Sequence, residues 1–159
     1  MRLSKQVFSA LCGLALSSFI ATIAIADTVR LKMAGTYPAN HFGHKIVTDM
    51  IKEIEDAGVG VKITYFPASQ LGSGEELVED AIRGNVDLVQ AFIYAQADPR
   101  LEIMNLPGLV TTFEELKSVY ANPKSKLNTI LGGIMEDLGL VYLANTGEGL
   151  IGIVAAKKP

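Results

Sequence analysis

Between Val61 and Leu88 the apolar period changes twice, from two residues to about 3.6 and back, which only a strand-helix-strand unit accommodates. Val61, Ile63 and Tyr65 alternate with Lys62 and Thr64, the period of a half-buried strand, and Pro67 removes a ladder donor and ends it. Leu77, Val78, Ala81 and Ile82 then fall on one helical stripe. Glu75 and Glu76 occupy its first turn, where the helix dipole favours acids, and Gly84 stands where the chain leaves the helix left-handed. The next strand begins at once.

The same alternation of periods runs through the rest of the chain, with no low-complexity linker and no internal repeat. Val29, Leu31 and Met33 alternate with Arg30 and Lys32 as a first strand ending at Ala34-Gly35. Ile46, Val47, Met50, Ile51 and Ile54 mark a helix that stops at Gly58. Residues 86–94 are apolar enough for a central strand covered on both faces. Thr112-Phe-Glu-Glu115 has capping-box form and opens a helix expected to run through Tyr120, closed by Asn122-Pro123. Leu127, Ile130, Leu131, Ile134, Met135 and Leu138 give a further amphipathic helix ending at Gly139, and two short strands are expected near 140–144 and 150–156. A β-α-β-α-β order predicts an α/β fold, a mostly parallel sheet flanked by helices with right-handed crossovers.

The N-terminus reads as an export signal. Arg2 and Lys5 precede an apolar stretch from Val7 to Ile25, and Ala24-Ile25-Ala26 fits the small-x-small cleavage rule before Asp27. A run of about 18 apolar residues can also span a bilayer, but Ser9, Ser17, Ser18 and Thr22 dilute this one, so cleavage after Ala26 is expected. Cys12 is the single cysteine, and Leu11 before it is unsuited to a lipid-attachment signal. The mature chain, residues 27–159, then offers neither a disulfide nor a thiolate metal site. With Arg2 and Lys5 gone, twelve of the fourteen Lys and Arg remain against seventeen acids, a net charge of −5. Such a balance argues against a nucleic-acid binder, which needs a basic face.

Ligands on parallel sheets gather at the carboxyl ends of the strands. Here those ends lead into the loops 35–41, 67–75, 92–96 and 145–149. Within them Tyr37 offers an aromatic wall with a hydroxyl, and Asn40 serves either as a helix cap or as a ligand contact. His41 and His44 lie three apart, yet no third ligand stands nearby in sequence and no His-Glu-x-x-His pattern exists, so local packing or hydrogen bonding is the better reading than zinc. Gly72-Ser73-Gly74 faintly resembles a phosphate cradle, but the Lys-Ser/Thr pair of a P-loop is missing and turn chemistry explains it. Phe92 and Tyr94 are expected on alternate faces of one strand end, one in the core and one in a cleft. Catalysis is hard to assemble: there is no Gly-x-Ser-x-Gly elbow, no usable cysteine, and only two histidines in one loop. No cofactor is expected.

Pro67-x-x-Gln70-Leu71-Gly72 at the corner of the first unit, with Gly84-x-x-Asp87 at its far turn, resembles the solute receptors of tripartite ATP-independent periplasmic (TRAP) transporters, bacterial extracellular solute-binding protein family 7. The resemblance covers nearly all of residues 28–159. It implies a periplasmic-binding-protein-like lobe of class II type, one of two lobes that close around a hinge on a small organic acid. Such a receptor works in the periplasm as a monomer and delivers its ligand to a membrane permease driven by an ion gradient. By position it places first-lobe contacts near Thr36 and Tyr37, near Gly74, and near Phe92; Asn40, His41, Gln70, Tyr94 and Asn145 complete the candidate set from the same strand-end loops. Gly74 has no side chain to contribute, Phe92 offers only an apolar surface, and an arginine that some members carry after the fourth strand is replaced near Leu150 or Ile151. The family's carboxylate-gripping arginine belongs to the second lobe, which the resemblance places beyond Lys157-Lys158-Pro159, so residues 27–159 are expected to form the first lobe with the second missing. Two alternatives stay open: a periplasmic enzyme on a similar sheet using His41 and a carboxylate, and a receptor of an ATP-driven importer.

Overall fold

The computed structural model describes residues 28–145. Three strands, β1 (Val29–Gly35), β2 (Val61–Phe66) and β3 (Leu88–Gln90), form a parallel sheet in the spatial order β2-β1-β3. β1 is central because it pairs on both sides: Leu31 lies beside Ile63, and Met33 beside both Tyr65 and Leu88. The helices α1 (Phe42–Asp56) and α2 (Gly74–Ile82) make the two connections.

Alternate residues of a strand face opposite sides of a sheet, and β1 uses both. Met33 packs with Tyr37, Val47 and Ile63 on the α1 side, whereas Ala34 packs with Leu77 and Val86 on the α2 side. The first crossover steps from β1 to β2 and the second steps back across β1 to β3, so right-handed connections put the two helices on opposite faces. Ala34 and Leu77 have no exposed surface, and burying a leucine side chain stabilises a fold by about 1.5–3 kcal/mol.

Local signals set the helix ends. Ser73 caps α2 in a reciprocal capping box: its hydroxyl accepts from the Glu76 amide at 3.3 Å, and the Glu76 carboxylate accepts from the Ser73 amide at 2.7 Å. Gly84 follows with φ of 75°, the left-handed conformation its position called for. The start of α1 corrects an expectation. His41, not Asn40, is the cap, its Nδ1 accepting from the Gly43 amide at 3.1 Å, while Asn40 is exposed.

The sheet also departs from expectation. β3 spans three residues rather than 86–94, because it pairs with Met33, Ala34 and Gly35 and β1 ends there; among the described residues no strand pairs with the backbone beyond Gln90. Residues 140–145 run without regular structure instead of forming a strand, and the strand expected near 150–156 lies outside the described residues, as does the export signal.

A second core lies around α4 (Lys126–Asp137), which follows α3 (Phe113–Leu116) in the chain. Leu127, Leu131, Ile134 and Met135 pack there with Leu101 of a 3-10 segment, Pro99–Asn105. The helix expected to run from Thr112 through Tyr120 divides: α3 ends at Leu116 and the chain continues as a π turn, Lys117–Ala121. Asn122-Pro123 prevents a normal helical exit. The buried Asn128 supplies the missing partners, its Nδ2 donating at 2.8 Å to the carbonyls of both Tyr120 and Asn122. Among the described residues no helix is long and apolar enough to cross a membrane.

Candidate ligand-binding site

The carboxyl ends of β1 and β3 meet where the chain reverses its direction of travel across the sheet, the position at which open α/β sheets form a crevice. Gln90, the last residue of β3, ties the two ends together. Its side-chain Oε1 accepts from the amides of Thr36 and Tyr37 at 3.1 and 3.3 Å, and its own carbonyl accepts from Thr36 as well.

Thr36 follows β1 directly, and its hydroxyl is shut off from solvent with no hydrogen-bond partner. Two other polar atoms share that condition, the Tyr65 hydroxyl near the end of β2 and Nδ1 of His44 on the first turns of α1. The rings of His44 and Tyr65 lie 5.6 Å apart. A buried polar group left without a partner costs about 1–3 kcal/mol, so none of the three is explained by stability. Burial pushes the Tyr65 hydroxyl above its usual pKa, which keeps it a donor.

Tyr37 is 7% exposed and belongs to the α1-side core. Its ring stacks on His41 with centroids 4.6 Å apart and an angle of 16°, and it lies so close to Gly43 that a β-carbon there would come within 2.5 Å of it. The ring therefore braces the loop, and the His41 imidazole is held both by that stack and by its capping bond. Phe92 and Tyr94 both lie past the end of β3 rather than on alternate faces of it. Phe92 is 57% exposed. Tyr94 turns its hydroxyl onto the start of α2, and there burial and the neighbouring Glu75 carboxylate raise its pKa.

Gly74 is the seat of that tyrosine: a β-carbon on it would lie 2.1 Å from the Tyr94 hydroxyl. Gln70 is exposed, on a corner whose Ala68 and Ser69 both take φ of 55°, a conformation that costs L-residues roughly 1–2 kcal/mol each. Two main-chain bonds hold this corner against the β1 loop, from Ala68 to the Tyr37 carbonyl and from Ser69 to the Gly35 carbonyl, at 3.0 and 2.9 Å. Asn145 lies within hydrogen-bonding reach of the Tyr142 hydroxyl, and Tyr142 packs on the α4 core.

The structure thus gathers Thr36, Tyr37 and His41 around the end of β1 and adds Tyr65 and Gln90, which sequence reasoning did not single out. Tyr65 read as an ordinary core position of an alternating strand. Gln90 interrupts the apolar run from Leu88 to Ile93, and that interruption was the available signal. Among the described residues no arginine joins them: Arg83 pairs with Glu79 and Arg100 chelates Asp98 and reaches Asp137, while Arg30 lies on the amino-terminal half of β1.

A parallel sheet covered by helices, with buried uncommitted hydroxyls at the carboxyl ends of β1 and β2, is the lobe of an α/β solute receptor. The chain matches the family model described as bacterial extracellular solute-binding protein, family 7 (DctP), over residues 33–159, and it belongs to that family. It is 34% identical over 101 residues to YiiZ, an uncharacterized protein of Salmonella typhimurium, a match covering 62% of this chain and 27% of that one. It is 26% identical over 148 residues to a solute-binding protein of Albidiferax ferrireducens, covering 88% and 43% of the two. The fold is similar to the crystal structure of a TRAP periplasmic solute binding protein from a Polaromonas species with D-erythronate bound, with a TM-score of 0.64, 26% identity, and 73% and 38% of the two chains covered. The chain therefore spans less than half the length of these relatives. Structures of this class have a two-lobe type II fold, and the family is periplasmic.

Proposed function

We propose that this chain forms the first-lobe wall of a TRAP-type receptor that captures a small organic acid in the periplasm and hands it to an ion-gradient-driven membrane permease. The observations that carry this reading are two buried, unpartnered hydroxyls at the carboxyl ends of parallel strands, Thr36 Oγ1 after β1 and Tyr65 Oη near the end of β2, with the unpartnered His44 Nδ1 of α1 on the ring beside Tyr65. The D-erythronate bound to the similar Polaromonas receptor supports an acid as ligand. Capture without turnover fits the commitment of His41, whose Nδ1 is spent as a helix cap and whose ring is stacked on Tyr37. Thr36, Tyr37, Asn40, His41, Gln70, Gly74, Phe92, Tyr94 and Asn145 remain the candidate contacts, Gly74 through its main chain alone.

Calorimetric titration of a full-length two-lobe receptor carrying this chain as its first lobe, against a panel of sugar acids, dicarboxylates and keto acids, tests the reading. Saturable one-site binding of at least one acid without its conversion is expected; silence across the panel, or product formation, would overturn it. Export forms part of the same proposal. Residues 1–26 are removed and the periplasmic form begins Asp27-Thr28, which mass spectrometry of a periplasmic extract checks; an intact Met1 in the membrane fraction would refute it.

A further inference from the structure

β2 is the long free edge of the sheet. Among the described residues it pairs with β1 and with no other strand, whereas the opposite edge, β3, is three residues long. The Val29 amide donates to the Gly60 carbonyl at 2.8 Å, so alternation along β2 turns the main-chain groups of Lys62, Thr64 and Phe66 toward β1. Those of Val61, Ile63 and Tyr65 turn outward. An outward row of amides and carbonyls is a template for another strand.

The central amide of that row is taken. Glu55, in the last turn of α1, accepts from the Ile63 amide through Oε1 at 3.0 Å in a half-buried setting. The helix does not ask for an acid there: the negative end of its dipole disfavours one, and the turn holds no basic residue. Asp56 beside it is paired with Lys52, whereas Glu55 reaches across to the strand. The edge it covers fits a second copy of itself. A two-fold axis at Ile63 would lay two β2 strands antiparallel, with Ile63 opposite Ile63, Val61 opposite Tyr65 and Lys62 opposite Thr64. Opposed residues of that kind exchange both main-chain bonds, which makes the Ile63 amide the central donor of the pairing. Side-chain charge does not oppose it, because Lys62, the one charged residue of β2, would face Thr64 and not its own counterpart.

We infer that Glu55 bars β2 from pairing edge to edge with a second copy of the chain, by holding the central amide of the outward row. An incoming strand has to displace the carboxylate from Ile63, and at the two-fold axis it brings a second Glu55 beside the first, where like charges repel. Natural sheets close exposed edges with charged groups in this way.

Sedimentation of a full-length two-lobe receptor carrying this chain as its first lobe tests it, on variants whose circular dichroism matches the parent. The mass of Glu55→Ala should rise with concentration toward double that of the parent. Glu55→Gln keeps an acceptor for the Ile63 amide and should associate less than Glu55→Ala. Amide exchange at Ile63, followed by NMR, separates an edge guard from a bond that only stabilises the fold: in Glu55→Ala it should be fast in dilute solution and slow again in concentrated solution. Val61→Pro removes an outward N–H at the first residue of the strand, where proline is tolerated, and added to Glu55→Ala it should restore the parent's mass. A Glu55→Ala protein with the parent's mass at every concentration would overturn the inference. So would association that survives Val61→Pro, or equal association of the Ala and Gln variants.

Discussion

Tyr94 sets its hydroxyl 2.1 Å from the point at which a β-carbon on Gly74 would stand. The glycine is buried at the first position of α2, so an added methyl group cannot turn away into solvent. Gly74→Ala is expected to destabilise the protein by about 1–3 kcal/mol, the range for overpacking a well-packed site. Urea denaturation should show that Tyr94→Ala in the same chain recovers most of this loss. Equal losses with and without Tyr94 would mean that the contact is not the cause.

Asn128 is 6% exposed and spends its whole side chain: Nδ2 on the carbonyls of Tyr120 and Asn122, and Oδ1 on the Tyr142 hydroxyl at 3.1 Å. Asn128→Ala orphans all three groups at once. A loss of about 2–4 kcal/mol is expected, since each unsatisfied buried group costs about 1–3 kcal/mol and the carbonyls near the surface regain some water. A chemical-denaturation midpoint equal to that of the parent would contradict this account of the π turn.

Ala68 and Ser69 hold φ of 55° at the corner after β2. Glycine adopts that conformation without the Cβ penalty, although its freer unfolded chain offsets part of the gain. Ala68→Gly should therefore stabilise the fold by about 0.5–1 kcal/mol. A melting temperature that falls on this substitution would show that the methyl group of Ala68 makes a contact worth more than the strain.

Burial pushes the Tyr142 hydroxyl from 10.0 up to about 12, against a smaller opposing effect of Asn145. The folded state thus holds this proton more tightly than the unfolded state. Its contribution to stability is fully present below pH 10 and is lost as the pH rises from about 10 through about 12. Thermal melts across pH 8–12 should show the decline, and Tyr142→Phe should flatten it. An undiminished decline in that variant would assign the effect to other groups.

Much of the fold was legible because its signals are local. The switch from alternating Val61, Ile63 and Tyr65 to the stripe of Leu77, Val78 and Ala81 specified a strand and a helix. Ser73 with Glu76, and Thr112 with Glu115, carried their capping boxes within four residues, and both boxes form. Gly84 marked its own left-handed turn. The corner Pro67 to Gly72 and the turn Gly84 to Asp87 also carried the family. Order and extent in space followed different rules. The sequence β2-β1-β3, and the halt of β3 at Gln90, depend on where β1 ends, which no property of residues 86–94 records. The site lies on that side of the divide: Gln90 bonds the Thr36 amide across a separation of 54 residues. Gly35 meets Tyr65 and Gln90, and Gly74 meets Tyr94, only because pairing and packing bring distant segments together. Periodicity and capping report on a residue's immediate neighbours, whereas strand register and the fit of a ring over a glycine are properties of the assembled sheet.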